Sequence, residues 1–308
     1  MSGVLTLGEA MGIFVADGIG TLESARGFTL GIAGAESNVA IGVARLGGDA
    51  TWVGRIGQDA VGALIAARLR YFGVRAIALA DDAFTGLMIR YQRSGQFIHA
   101  DYHRAGSAGS RLNPSDVPVS EIEAAGIVHV TGITPALSDT ARAAVFHTVE
   151  AARAAGVTVS VDVNYRSKLW SRFDAAPVLR DLVTRADIVF AGPEEAEIFI
   201  DDPDPVRGLA ALGPTEVIVK DGARGCVAQI DGTLHAVPAL PVTSLDPVGA
   251  GDAFVAGYLA DRLAGAGPEG RLRTAIAAGA FAVTVPGDCE GLPTRTDLAA
   301  LSGGDIHR

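Results

Sequence analysis

The sequence predicts an α/β protein: a mostly parallel central sheet covered by helices, with a small β-sheet lid beside it. Three observations carry this. Along most of the 308 residues, apolar β-rich runs alternate with helical periodicity, the pattern of repeated βαβ units. Two stretches, Met11 to Ile32 and Phe84 to Tyr102, break the alternation with short, glycine-punctuated strands. Hydrophobic residues make up 49% of the chain and aromatics only 6%. The excess is largely Ala, Val, Leu, Ile and Gly, which suit close helix–sheet packing around a sizeable core.

Taken in order, Val4 to Glu9 reads as a first buried strand, and Met11 to Ile32 as strands of the small sheet. Gly31 to Ala40 opens a helix reaching Leu46, and Asp59 to Phe72 is a second helix with Leu64, Ile65 and Leu69 on one side. Arg75 to Ala80 is a strand. Phe84–Tyr91 and Gln96–Tyr102 alternate and are joined by Arg93-Ser94-Gly95, a hairpin signal. The α/β rhythm then returns: a strand over Ile127–Gly132, a helix capped by Ser138 and reaching Ala155, and strands over Val157–Val163 and Asp187–Ala191. Glu216 to Gly225 is a strand running into a glycine turn, followed by a hairpin of Cys226–Ile230 and Thr233–Val237. Ala239 to Ser244 is extended and β-rich, and Leu272 to Val283 is a last helix.

Net charge is −10, so the surface repels nucleic acid and anionic membranes, and neither is expected as a partner. Cys226 and Cys289, without CxxC spacing, read as reduced thiols in the core or near the site. The N-terminus has no basic leader, and the most apolar later run, Ala275 to Val285, is too short to cross a bilayer. A cytoplasmic location is the expectation.

Asp246-Pro247-Val248-Gly249-Ala250-Gly251-Asp252-Ala253-Phe254 is the stretch with the most chemistry. Phe254, Val255, Tyr258, Leu259 and Leu263 follow at helical spacing, so Gly249-Ala250-Gly251 should form a helix's first turn. The N–H groups of that turn lack helical partners and suit an anion. Asp252 beside it is either a helix cap or a base that takes a proton from a hydroxyl attacking phosphorus. At a helix N-terminus its pKa should fall, making it a weak base. Elsewhere Glu36-Ser37-Asn38 is either an ordinary N-cap or a place where backbone and Asn38 meet a polyol. Asp162, Asn164 and Arg166 fall on one side at a strand's C-terminal end, where parallel sheets bind ligands. They suggest a sugar-acid site, with Arg166 for a carboxylate, Asn164 for a hydroxyl and Asp162 ordering them, or else a structural Asp–Arg pair. The turn around Lys220, Gly222 and Gly225 could line a nucleotide phosphate site. Glu195 is either an acidic first helical turn or a magnesium ligand acting through water.

The nine residues from Asp246 resemble the C-terminal signature of the ribokinase-like (PfkB) sugar kinases over its full length. Gly34-Ala35-Glu36-Ser37-Asn38-Val39-Ala40, with Gly47-Gly48 and Gly54-Arg55-Ile56-Gly57, resembles the N-terminal signature, Ala33 standing for its first glycine. The resemblance covers nearly the whole chain and narrows to the 2-keto-3-deoxygluconate kinases through Phe84–Leu87, Arg104–Ser110, Gly132–Ser138, Asp162–Arg166 with Leu169-Trp170, and Gly287-Asp288 with Glu290-Gly291. It implies a three-layer α/β/α fold over 1–308, with a discontinuous lid from roughly 11–33 and 84–104. It implies ATP and Mg²⁺ as cofactors, with no Walker A motif, and phosphorylation of the terminal hydroxyl of a sugar acid. Asp252 would be the base, and Gly249, Ala250 and Gly251 would cradle the transferring phosphoryl group. Gly34, Tyr102, Arg104 and Arg166 would hold the substrate while Asp288 closes over it. Two arginines suit a carboxylate. The chain departs from the family at Gly192, where an Asn of its Asn-x-x-Glu motif is expected, at Met88 for a substrate-facing tyrosine, and at Cys289 for a histidine. Alternatives are a PfkB kinase for 5-dehydro-2-deoxygluconate, 2-keto-3-deoxygalactonate, fructose or ribose, and a catalytically silent sugar-acid sensor. An exposed apolar lid face predicts a homo-oligomer.

Overall fold

The computed structural model describes residues 3–94 and 97–303. Gly95 and Gln96, assigned above to the hairpin, lie outside the described residues. The chain begins with β1 (Val4–Leu7), β2 (Met11–Ile19), β3 (Phe28–Ala33), α1 (Ala35–Arg45), β4 (Ala50–Gly57), α2 (Ala60–Tyr71) and β5 (Arg75–Asp81). It continues with β6 (Leu87–Ser94), β7 (Phe97–His103), α3 (Val119–Ala124), β8 (Ile127–Thr131), α4 (Asp139–Ala154), β9 (Thr158–Asp162) and α5 (Arg172–Thr184). Then come β10 (Ile188–Ala191), α6 (Pro193–Ala196), α7 (Pro205–Ala210), β11 (Glu216–Lys220), β12 (Cys226–Ile230) and β13 (Thr233–Val237). Three helices close the chain: α8 (Ala250–Leu263), α9 (Pro268–Ala282) and α10 (Arg295–Gly303).

The large sheet has the order β13-β12-β11-β10-β9-β8-β1-β4-β5. It is parallel except at the edge, where β12 runs back along β11 and β13 returns along β12 as the expected hairpin. Period-two alternation sends neighbouring side chains of one strand to opposite faces. In β10, Ile188 and Phe190 join one hydrophobic cluster while Val189 and Ala191 join the other. In β11, Ile218 faces one way and Val217 and Val219 the other. Helices α1, α8 and α9 cover the first face, and α4 and α5 the second. This is the three-layer α/β/α ribokinase-like arrangement. Phe190, fully buried, meets Phe254 and Tyr258 edge-on at 6.3 and 5.3 Å and so seats α8 on the sheet. Truncating such a side chain to Ala typically costs about 3–5 kcal/mol.

A second sheet of four strands, ordered β3-β2-β6-β7, stands beside the strand ends. The β2–β6 pair is parallel and the flanking pairs antiparallel. One face carries Ile13, Ala33 and Met88 as a small buried cluster. The opposite face carries Phe14, with Leu30 and Ile89 as its cross-strand partners, and Phe28; Phe28 and Leu30 are each 43% exposed.

Some local expectations fail. Ala239–Ser244 is in no strand, and it leaves the outer edge of β13 unpaired among the described strands. Strand β6 starts at Leu87 rather than Phe84, because Thr85 turns back onto the Asp59 carboxylate through its N–H and hydroxyl, each at 2.8 Å. Helices α3, α5, α7 and α10 are additional to those read from the sequence. Cys226 and Cys289 are both buried and free, and no described helix is long and apolar enough to cross a membrane.

Candidate active site

A cavity of about 1220 Å³ opens between the C-terminal strand ends and the small sheet. Its floor includes Gly34, Asn38, Gly249, Asp252 and Asp288, its walls Arg104, Arg166 and Glu195, and its ceiling Met88, Ala100 and Tyr102. Parallel sheets gather sites at this edge because each strand's connection to its helix starts there.

The floor is set by two helix starts. Gly249 is the N-cap of α8 and has φ 77°, a left-handed conformation that favours glycine. A Cβ there would fall 2.5 Å from the Asp288 carbonyl oxygen. The helix therefore begins at Ala250, one residue later than expected, and Gly249 turns the chain into it. Asp252 is the third helical residue and is 9% exposed. Gly34 caps α1 with φ 152°, and a Cβ there would meet the Glu9 carbonyl at 2.5 Å. Where α1 crosses α8, Gly42 lies against Ala256, with room for no further atom. That close approach brings Asn38, one turn before Gly42, to Asp252, one turn before Ala256.

Asn38 donates to Asp252 Oδ2 at 2.8 Å and to Asp288 Oδ1 at 2.6 Å. Both hydrogens of its amide thus go to the two acids, while its Oδ1 is buried without a partner and the residue lines the cavity. Asp288, expected to close over a ligand, lines the cavity beside Asp252. Burial pushes Asp252 up to about 6, with the Asn38 hydrogen bond and the charges of Arg166 and Lys220 opposing. The expected depression by the helix terminus is thus reversed: desolvation outweighs the dipole. Burial, with Asp252's charge adding to it, pushes Asp288 to about 7.

The polar strand end is wired differently from the expectation. β9 ends at Asp162, and Asn164 turns to φ 39° and is buried, so the one-sided alternation stops. Asn164 is not among the residues lining the cavity. Asp162 binds Lys220 Nζ through both oxygens at 2.8 and 2.7 Å, and not Arg166. Burial opposes the charge on Lys220, but Asp162, Glu195 and Asp252 outweigh it and raise its pKa. Its Nζ would lie 3.7 Å from a Cβ on Gly251, which places a cation under the glycine turn. Gly222 faces open space, whereas Gly225 is pressed against the Val237 carbonyl and serves the β12–β13 hairpin.

The arginines divide. Arg104 is paired with the buried carboxylate of Glu9, which also accepts from the Ser107 hydroxyl. Arg166 is exposed, makes no ion pair among the described residues, and hydrogen-bonds only the Tyr165 carbonyl at 3.2 Å. Tyr102 lies in the ceiling with Arg104 and Lys168 over its ring, at 5.6 and 5.5 Å. Glu195 accepts from Gly192 N–H at 2.7 Å and Tyr165 N–H at 3.0 Å, as a capping-box acid. No cluster of three His, Cys, Asp or Glu able to hold a metal occurs among the described residues.

Sequence reasoning missed Glu9, Arg90 and the hub at Asp246. Glu9 follows a buried strand at its C-terminal end, and that position was a usable signal. Arg90, on the cavity face of β6, donates to Asp246 Oδ2 at 2.6 Å. The same carboxylate accepts from Val248 N–H and Gly287 N–H, each at 3.1 Å. It thereby ties the small sheet, the glycine turn and the Asp288 loop together.

The sequence model for the pfkB family carbohydrate kinases matches residues 1–295. A 2-dehydro-3-deoxygluconokinase of Bacillus subtilis (strain 168) is 35% identical, over 96% of this chain and 94% of its own. A fructokinase of Klebsiella pneumoniae is 34% identical, over 96% and 97%. Among solved structures, a PfkB protein from Polaromonas sp. JS666 superposes with a TM-score of 0.89 at 35% identity, covering 97% of this chain and 100% of that one. A ribokinase II from E. coli in complex with ATP and Mg²⁺ superposes with a TM-score of 0.90 at 25% identity, covering 98% and 99%.

Proposed function

The chain belongs to the pfkB family of carbohydrate kinases, and from that premise we propose that it uses ATP to phosphorylate the terminal hydroxyl of a sugar acid, 2-keto-3-deoxygluconate, giving 2-keto-3-deoxy-6-phosphogluconate. The observation that carries the substrate class is Arg166, an exposed guanidinium lining the cavity that makes no ion pair among the described residues and donates to the Tyr165 carbonyl. A planar fork of donors free of an internal acid suits an incoming carboxylate.

In this reading the terminal hydroxyl lies over Asp252. Its oxygen forms a bond to the γ-phosphorus while the bond to the leaving ADP oxygen breaks, and its proton passes to Asp252 and then to water. A carboxylate pushed up to about 6 is still ionised at neutral pH and is a stronger base than an exposed aspartate. The N–H groups at Gly249, Ala250 and Gly251 face the transferring phosphoryl group, with Lys220 beneath them. The site fits a nucleotide phosphate because the left-handed Gly249 and the open side of Gly251 leave the turn bare. A bound Mg²⁺ would supply neutralisation of the charge that develops on the phosphates. Glu195, with both oxygens already accepting backbone N–H groups, would reach it only through water. The small sheet acts as the lid that excludes water, and its outer apolar face is offered to a second copy of the chain.

A neutral acceptor such as fructose is the second reading, favoured by one observation. Glu9 already neutralises Arg104, so one of the two expected carboxylate arginines is spent inside the protein. Steady-state kinetics of Arg166→Ala separates the two. The sugar-acid reading expects KM to rise at least tenfold for the keto-deoxy acid and less than threefold for fructose. Equal changes for both acceptors contradict it.

A further inference from the structure

The chain passes between the large sheet and the lid four times: before β2, after β3, before β6 and after β7. All four passages meet at Glu9, which is 2% exposed. Glu9 is itself in the first, between β1 and β2. Gly34, in the second, has the Glu9 carbonyl oxygen 2.5 Å from where its Cβ would stand. Gly86, in the third, would place a Cβ 2.8 Å from Glu9 Oε1, and Gly109, in the fourth, would place one 2.7 Å from the Glu9 Cβ. A packed interior has no room for such approaches, so bare backbone is drawn close around this one residue. Its carboxylate takes the Arg104 guanidinium and the Ser107 hydroxyl, both from the fourth passage. A buried acid is costly unless a charge answers it, and Arg104 is that charge.

The guanidinium is held on one side only. One terminal nitrogen meets Glu9, the Tyr102 ring centre lies 5.6 Å from its carbon, and its Nε is buried with no partner. Glu9 and Arg104 both line the cavity. We propose that Glu9 is a positioning residue for acceptor recognition: it clamps Arg104 at the root of the lid, so that the guanidinium presents its remaining N–H groups to an acceptor oxygen in one orientation. The inference rests on this cavity being the acceptor site. Glutamine has the same shape but no charge to hold a buried guanidinium, and one of its two polar atoms is a donor, which a guanidinium cannot meet. Because the same side chain touches the passages before β6 and after β7, loss of the clamp loosens the lid root as well.

The experiment is a double-mutant cycle of Glu9→Gln, Arg104→Ala and the two together, read in two ways. The first is kcat with KM for 2-keto-3-deoxygluconate and for ATP. Glu9→Gln should raise the acceptor KM by roughly tenfold, with kcat and the ATP KM within about threefold. The double variant should lose no more in kcat/KM than Arg104→Ala alone, because a residue that acts through another adds nothing once that other is gone. The second reading is amide hydrogen exchange over Gly86–Ser94 and Phe97–Gly109 in the ligand-free protein. Each single variant should speed exchange there by roughly tenfold, and the double variant no further. Glu9→Asp keeps the charge on a shorter arm and should fall between wild type and Glu9→Gln; it also serves if the glutamine variant does not fold. Losses that multiply in the double variant, in kinetics or in exchange, would overturn the proposal. So would an acceptor KM that falls in Glu9→Gln, which would mean that Glu9 masks Arg104 instead of directing it. If the wild type turns over no acceptor, the kinase reading fails, while the exchange cycle needs no ligand and still decides whether Glu9 acts through Arg104.

Discussion

Asp252→Asn should make the protein more stable while removing its activity. The cause is burial: the carboxyl moves from 3.8 to about 6 on folding. The sign follows from linkage. A raised folded pKa means that the folded state holds the proton more tightly, so the stability present below pH 3.8 is lost as pH rises through 6. At pH 8 the loss is complete and amounts to about 3 kcal/mol; at pH 5 roughly half of it remains to be lost. An amide of the same shape carries no charge to desolvate but still leaves polar atoms in the site, so about 1–3 kcal/mol of gain is expected at pH 8. For a chain of this length that corresponds to roughly 2–5 °C in Tm. The gain over wild type should grow by about 1.4 kcal/mol between pH 5 and pH 8. Urea unfolding of both proteins at the two pH values reads this directly. A variant no more stable than wild type at pH 8, or equally stabilised at both, would refute the claim that the site holds a destabilised carboxylate.

Other consequences are as direct. Gly249→Ala should cost about 2–3 kcal/mol and at least tenfold in kcat, because its φ of 77° and the Asp288 carbonyl leave a methyl no place; urea unfolding and turnover check it. Burial, helped by the charge of Lys220, holds His129 down near 3. The unfolded state therefore takes that proton first, and stability is lost as pH falls from 6.5 toward 3. His129→Gln should lower the slope of stability against pH over 6–4.5 by about 1.4 kcal/mol per pH unit, against the opposite contribution of the site acids. If the outer face of the small sheet joins two copies, Leu30→Asp should turn an oligomer into a monomer in sedimentation velocity without altering the fold.

The large sheet was legible because its strands are buried on both faces and read as continuous apolar runs, as Ile127–Thr131 and Ile188–Ala191 do. Helices α5 and α7 were not: α5 carries a Pro at position 177 and α7 spans only Pro205–Ala210, so neither shows a long apolar period. At the site, the glycine turn and Asp252 stood out because they are contiguous. Partners were harder to read. Asn38 meets Asp252 across 214 positions, and Arg90 meets Asp246 across 156; periodicity says nothing about such pairs. The reversed pKa of Asp252 has the same origin, because a dipole argument needs only the local helix whereas desolvation depends on everything packed around it. Asp162 was placed at the right strand end and given the wrong partner, since Lys220 arrives from a strand two places along the sheet.

The measurement closest to the central claim is coupled ADP release with Mg-ATP on 2-keto-3-deoxygluconate, 2-keto-3-deoxygalactonate, fructose and ribose in parallel, with wild type and Asp252→Ala. The account predicts turnover on a keto-deoxy acid at least tenfold better in kcat/KM than on either neutral sugar, and a loss on the order of 10² or more in kcat for the variant. Turnover confined to fructose or ribose would contradict the sugar-acid assignment, and turnover retained in Asp252→Ala would contradict the base.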